Sequence, residues 1–207
     1  MLILHPVTFL AGLHGSGKST LGHHLRRKHG WTHLSMGDAG RLARAGKRPN
    51  NMSLRLFVEL AMYRTGELMS QRLIDAILFE IGKHRQITPV VIDGFPAKPE
   101  HVAMLPPDSL VVHVNCPEEV REARLNHRAA EAKRLWTPGL TSMRDSDLPS
   151  VIDAVRKRID SLRLLELDNG ANGIDALCAT VQDIIEIVRE TAAIRPELPT
   201  GQAAQAF

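Results

Sequence analysis

Two cysteines are all that the 207 residues contain, Cys116 and Cys178, far apart and without histidine or cysteine at metal-ligand spacing. A disulfide framework is therefore not expected, and a reducing cytoplasm is the default setting. No apolar run approaches the length that spans a bilayer. Residues 1–10 lack a basic n-region and a small-residue cleavage site, so no signal peptide is read there. Neither sign of charge dominates: 26 Lys and Arg stand against 23 Asp and Glu, for a net +3. That mild basicity suits anionic small molecules and is too weak to argue for a nucleic-acid binder. The expected partners are thus small molecules, with no nucleic acid and no membrane, and a monomer is the expected state.

What is present reads as an ordinary globular domain, with 43 % hydrophobic and 24 % charged residues. A chain of this size can bury a core without disulfides or metals. Short apolar runs at Val7–Ala11, 31–35, 90–92, 110–114 and 164–167 read as strands, the third and fourth as near-continuous aliphatic segments of the doubly covered kind. Between them lie helix patterns over Lys18–His29, 54–63, 70–84, 117–131 and 148–162, with a last one over 174–190. Strands alternating with helices predict an α/β fold of three layers, α/β/α, around a five-stranded parallel sheet. Two stretches interrupt that rhythm. Residues 38–68 read as an inserted, mostly helical flap, and 129–149, rich in Arg and Lys with a Pro138-Gly139 turn, as a second short one. One domain over 1–192 is expected, with a poorly ordered tail over 193–207.

The most informative segment is Gly12-Leu13-His14-Gly15-Ser16-Gly17-Lys18-Ser19, which matches G-x-x-x-x-G-K-[ST] between a strand and a helix. Its glycines let backbone N–H groups turn inward around an anion, and the helix N-terminus adds partial positive charge. In this P-loop NTPase-like reading Lys18 reaches the β- and γ-phosphates of ATP and Ser19 takes Mg²⁺, while Gly12, His14, Gly15, Ser16, Gly17 and Thr20 line the nucleotide. Asp93 ends a buried strand at the carboxyl edge, where α/β sheets place ligands, and is the second candidate for Mg²⁺. The plainer alternative is that Asp93 only opens the turn at Gly94. His23 and His24 are adjacent on a helix, so they face different directions and form no metal pair.

Further motifs follow in a fixed order: Leu34-Ser35-Met36-Gly37-Asp38 with Arg41, Gly66-Glu67-Leu68, Asp93-Gly94-Phe95-Pro96, residues 111–115, the Arg124/Arg128 helix, Arg144-Asp145-Ser146-Asp147 and Arg156-Lys157-Arg158. Over about residues 5–190 this series resembles adenylate kinase and its nucleoside monophosphate kinase relatives. The resemblance implies a parallel-sheet core, an acceptor-binding flap over about 38–68 and a short lid over about 129–147. No Cys cluster lies in that lid, which excludes a zinc-bearing one. Asp38 and Arg41 would shape the acceptor site, and Arg128, Arg144 and Arg158 would clamp the migrating phosphoryl group. Preorganised guanidinium groups suit that task, since charge spreads over the transferred oxygens and an Arg fork grips two of them. Each arginine also has a bland reading, as a solvated charge or a surface ion pair with Glu118 or Glu122.

Three departures from the pattern fall on the acceptor side. Ala97-Lys98 stands where an Arg usually follows Phe-Pro, and Lys98 lacks the bidentate fork. Met36 replaces a Thr, and Glu100 or His101 occupies the neighbourhood of an expected Gln. His14 replaces a Pro often seen in the loop and is expected to face solvent or the base. The function expected is ATP-dependent phosphoryl transfer to a nucleoside monophosphate. The alternatives are a kinase for a non-nucleotide metabolite and a nucleotide-binding regulator of low turnover. A guanine-reading N-K-x-D or T-K-x-D tetrapeptide is missing.

Overall fold

Val7, Phe9 and Ala11 point to one side of the first strand and Thr8 and Leu10 to the other, and all are buried. A strand buried on both faces has to lie inside a covered sheet. The computed structural model describes residues 4–64, 67–107, 109–132, 143–158 and 162–170, with 180, 183, 184, 186, 187 and 190. It places this strand, β1 (Val7–Ala11), at the centre of a sheet with β2 (Thr32–Ser35), β3 (Val90–Asp93), β4 (Ser109–Asn115) and β5 (Leu162–Asp168). The order is β2-β3-β1-β4-β5 and every pairing is parallel. The fold is a P-loop NTPase-like α/β/α sandwich.

Helix α1 (Lys18–His29) returns over one face, where Leu21 and Leu25 pack with Leu10, Val91, Val112 and Leu167. The other face carries α2 (Met36–Arg44), α3 (Leu54–Met62), α4 (Gln71–His84), a short α5 (Pro99–Val102) and α7 (Met143–Arg156), around Phe9, Ile92, Phe95 and Val111. Burying a Leu, Ile or Phe side chain in such a layer contributes about 1.5–3 kcal/mol. Helix α6 (Glu118–Ala132) follows β4. The chain leaves β1 and β3, which are neighbours, toward opposite faces. Their carboxyl ends therefore flank a crevice at the topological switch point.

Local chemistry sets the ends of these elements. Ser35, Ser53 and Ser70 each accept a backbone N–H at the start of α2, α3 and α4. Helix α3 and all but the first two residues of α2 lie within the stretch 38–68 read as a helical flap. Helix α7 departs from the expected 148–162: it starts a turn and a half earlier and runs through Pro149. The proline removes one helical N–H donor, but the turn before it is held from outside by the phosphate loop, as described below. Of the helix expected at 174–190, residues 180, 183, 184, 186, 187 and 190 are helical and the others lie outside the described residues, as do 133–142 of the expected lid and the tail at 193–207. No helix among the described residues is long and apolar enough to cross a membrane.

Candidate active site

The loop from β1 to α1 folds tightly because its glycines permit it. Gly12 has φ 149° and Gly17 φ 102°. A Cβ on Gly12 would lie 2.5 Å from the carbonyl oxygen of Val114, and one on Gly17 would lie 2.1 Å from Nδ2 of Asn169. Helix α1 begins with no side-chain cap and no acidic residue in its first turn. Its first N–H groups and its partial positive charge are thus left for an anion.

Lys18 sits inside this turn, its Nζ 2.6 Å from the carbonyl oxygens of both Gly12 and Leu13. Burial lowers its pKa to about 8, against the opposing pull of Asp93 and Asp145 and with the help of Arg128 and Arg121. A cation partly stripped of water and ringed by both signs of charge is poised to gain from a polyanion.

Asp93 ends β3 opposite the loop and is 6 % exposed. Its Oδ2 lies 2.9 Å from Nε2 of His33, and its Oδ1 accepts from Ser35 Oγ at 3.1 Å. Burial alone would raise its pKa, but the hydrogen bonds from His33, Ser35 and Ser19 outweigh this and hold the carboxyl below its ordinary value. The result is an ionised carboxylate joined to the first-turn hydroxyl of α1. Two hard oxygen donors, Ser19 and Asp93, fit Mg²⁺, which takes one or two protein oxygens and fills its shell with phosphate and water.

A cavity of about 180 Å³ lies over this group, bounded by Gly12, His14, Gly15, Gly17, Lys18, Ser19, Thr20, Arg41, Asp93 and Arg128, and also by Ser35, Gly94, Ala97 and Asp145. Ten of the residues expected from the sequence thus line one cavity. Ser16 lies behind the loop, 1 % exposed. Asp38 pairs with Arg41 and borders a second cavity that shares Ser35 with the first. Lys98 pairs with Asp147 of α7 at 2.6 Å. Arg144 is in the first turn of α7, with its side chain outside the described residues. Arg158 is not among the residues that bound the cavity: it follows α7, and its Nη1 donates to the carbonyl of Val102 at the end of α5. That bond gives Arg158 a role in holding the two helices together. His14, expected to face solvent or the base, turns its ring to Asp145 while remaining half exposed. Asp147 lies inside α7.

Three residues of the site were not singled out in the sequence. His33 shares a strand face with Ser35 at i, i+2, so the period of β2 carried that signal. Asn169 donates from Nδ2 to the carbonyl of Ser16 at 2.7 Å, bracing the loop from the end of β5, and only a turn-forming Asp-Asn-Gly marked it. Asp145 is 8 % exposed and accepts from the backbone N–H of His14 at 3.1 Å. Its place in an Arg-Asp-Ser-Asp run was visible; its partner was not.

Over 135 residues the chain is 27 % identical to adenylate kinase isoenzyme 1 of Gallus gallus, which aligns with 63 % of this chain and 68 % of that protein. A family model described as AAA domain matches residues 9–148, from β1 through the phosphate loop and Asp93 to the first turns of α7. With the loop, its opposing carboxylate and most of the parallel sheet inside that match, the chain belongs to the AAA domain family.

Proposed function

We propose that this protein is an ATP-dependent phosphotransferase that moves the γ-phosphoryl group of ATP to a nucleoside monophosphate, giving ADP and a nucleoside diphosphate. The observation that carries the reading is the placement of Lys18 and Asp93 on one cavity at the switch point, with Ser19 hydrogen-bonded to that carboxylate. Similarity to an adenylate kinase supports the choice of reaction.

In this reading Lys18 exchanges the Gly12 and Leu13 carbonyls for phosphate oxygens. Ser19 and Asp93 would hold Mg²⁺, which when bound would neutralise phosphate charge. Arg128, at the cavity edge, and Arg144 are the guanidinium groups for the transferred phosphoryl. The bond from the γ-phosphorus to the bridging oxygen breaks with its electron pair going to ADP, while an acceptor phosphate oxygen bonds to phosphorus. His33 and Ser35 fix the carboxylate, so little reorganisation is left for the moment of transfer. Asp38 and Arg41 border the acceptor, with Lys98 beside it.

A second reading, transfer to a hydroxyl group of a non-nucleotide metabolite, has its own support. Arg41 is paired with Asp38 and Lys98 with Asp147, so both acceptor-side cations already carry a carboxylate. The test is ADP release from MgATP with a panel of nucleoside monophosphates, sugars and no acceptor, with Lys18→Ala as control. Transfer to a monophosphate supports the first reading, and turnover with a sugar alone supports the second. Tight ATP binding with no turnover on any acceptor points to a nucleotide-binding regulator. Full activity in Lys18→Ala overturns the loop assignment.

A further inference from the structure

His14 occupies a position in the phosphate loop where the sequence departs from a commonly seen proline, and the departure has a structural use. A proline offers no N–H. Here the backbone N–H of His14 donates to Asp145 Oδ1 at 3.1 Å, and the Nδ1 of the same residue lies 2.9 Å from the same oxygen. The carbonyl of His14 accepts in turn from Arg121 Nη1 of α6 at 3.3 Å. One loop residue therefore binds α7 through its N–H and ring, and α6 through its carbonyl.

Asp145 is well suited to this contact. Its side chain is 7 % exposed. Burial pushes its carboxyl upward, but the His14 bonds and the Lys18 charge outweigh that and keep it ionised. It sits in the first turn of α7, upstream of Pro149, which cannot donate the helical N–H bond back to residue 145. That turn gains from an outside anchor, and the phosphate loop supplies one.

We propose that His14 and Asp145 are positioning residues that register α6 and α7 on the donor loop, and so set the rate of phosphoryl transfer more than the affinity for ATP. The inference rests on the kinase reading above. Arg128 lies two turns beyond Arg121 on α6, and Arg144 precedes Asp145, so both clamp candidates are borne on the helices that His14 holds. A shift of about 1 Å in such groups costs on the order of a hundredfold in rate, through lost alignment and not lost binding.

Four variants test this: His14→Ala, Asp145→Ala, the double variant, and His14→Asn, which keeps the backbone N–H and restores a side-chain donor. Each alanine variant is expected to lower kcat about 10- to 100-fold with the KM for ATP changed less than about threefold. The double variant is expected to be no worse than the poorer single one, because the two residues act as a unit. His14→Asn is expected to recover most of the loss. A raised KM for ATP at unchanged kcat, or losses that multiply in the double variant, would overturn the proposal. Hydrogen exchange at residues 145–150 provides a second readout that needs no turnover. Faster exchange in Asp145→Ala, and to a smaller degree in His14→Ala, than in the wild type is expected, and exchange equal to wild type in both variants refutes the contact. Should the wild type transfer no phosphoryl group at all, the kinase reading falls, while the exchange result still decides whether His14 holds α7.

Discussion

Gly22 of α1 faces the imidazole of His33 so closely that a Cβ there would lie 2.3 Å from Nε2 and 2.6 Å from Cδ2. The ring has no room to retreat, because the same Nε2 holds Asp93 at 2.9 Å. Helix, edge strand and the Asp93 carboxylate are thereby locked to one another.

A single methyl group therefore tests the lock. Gly22→Ala would ordinarily favour a helix by about 1 kcal/mol, but here the overlap is expected to destabilise the protein by about 1–3 kcal/mol. His33→Ala is expected to cost about 1–3 kcal/mol, since it strips a partner from a buried carboxylate. The two changes should not add. In the His33→Ala background, Gly22→Ala should become neutral or stabilising in urea unfolding. A penalty that persists in that background would show that the ring is not what limits Gly22.

Glu80 links acid stability to the segment that carries α3. Its side chain is 1 % exposed. It accepts the backbone N–H of Ser53 at 3.1 Å and faces His84 Nε2 at 3.0 Å and the Lys83 ammonium. Burial would raise its pKa, yet these bonds together lower it to about 2. A carboxyl lowered on folding stabilises above its unfolded pKa, and that contribution drains away as pH falls toward the folded value. Unfolding free energy should therefore decline between about pH 4.5 and pH 2. Glu80→Gln should cost about 2–3 kcal/mol near neutrality, with the gap from wild type closing toward pH 2. A gap independent of pH would mean that the charge on Glu80 is not what holds Ser53.

How far the sequence disclosed this arrangement depended on how local each feature is. The strand Val7–Ala11 and the helix Lys18–His29 emerge with the expected ends, because Gly17 and Gly30, both with positive φ, bracket the helix. The loop residues and Asp93 were legible as well, since the phosphate chemistry requires a strand, a glycine turn and a helix in immediate succession. The start of α7 was not, because Pro149 reads as a break and its compensation comes from His14, 131 residues earlier in the chain. Asn169 and Ser16 are likewise separated by 153 residues. Arg158 matched a motif by order alone, and order does not say which side of a helix end faces a cavity. Long-range bonds of this kind depend on which strand ends become neighbours, and local pattern carries no trace of that.

The lowered pKa of Lys18 makes a prediction about ATP binding. Its value near 8 belongs to the protein without a triphosphate beside it; polyphosphate next to the ammonium favours the charged form and raises it. Binding therefore takes up a proton once the free group begins to lose its own. Affinity for ATP should be level below about pH 8 and weaken by up to about tenfold per pH unit above it. Titration calorimetry from pH 7 to 9.5 would measure this. Lys18→Met should bind weakly with little slope over the same range, and an equally flat profile in the wild type would assign Lys18 a pKa well above 8.

Lys98 and Asp147 offer the sharpest separation of the two acceptor readings. Their 2.6 Å pair ties the segment after Pro96 to α7, with both side chains about three-quarters covered. An acceptor phosphate would compete with Asp147 for this ammonium. Asp147→Asn removes the competitor's charge and leaves its shape, so the KM of a monophosphate acceptor should fall about three- to tenfold, a gain of roughly 1 kcal/mol. Lys98→Ala should raise that KM by about tenfold or more and leave the KM of ATP unchanged. A neutral hydroxyl acceptor has no charge to feel the difference. For such a substrate neither variant should move the acceptor KM more than about twofold, and any loss would appear in stability through the broken tie to α7. Steady-state kinetics on the best acceptor of the panel, with melting curves of the same variants, therefore reads the charge of the natural substrate from one ion pair.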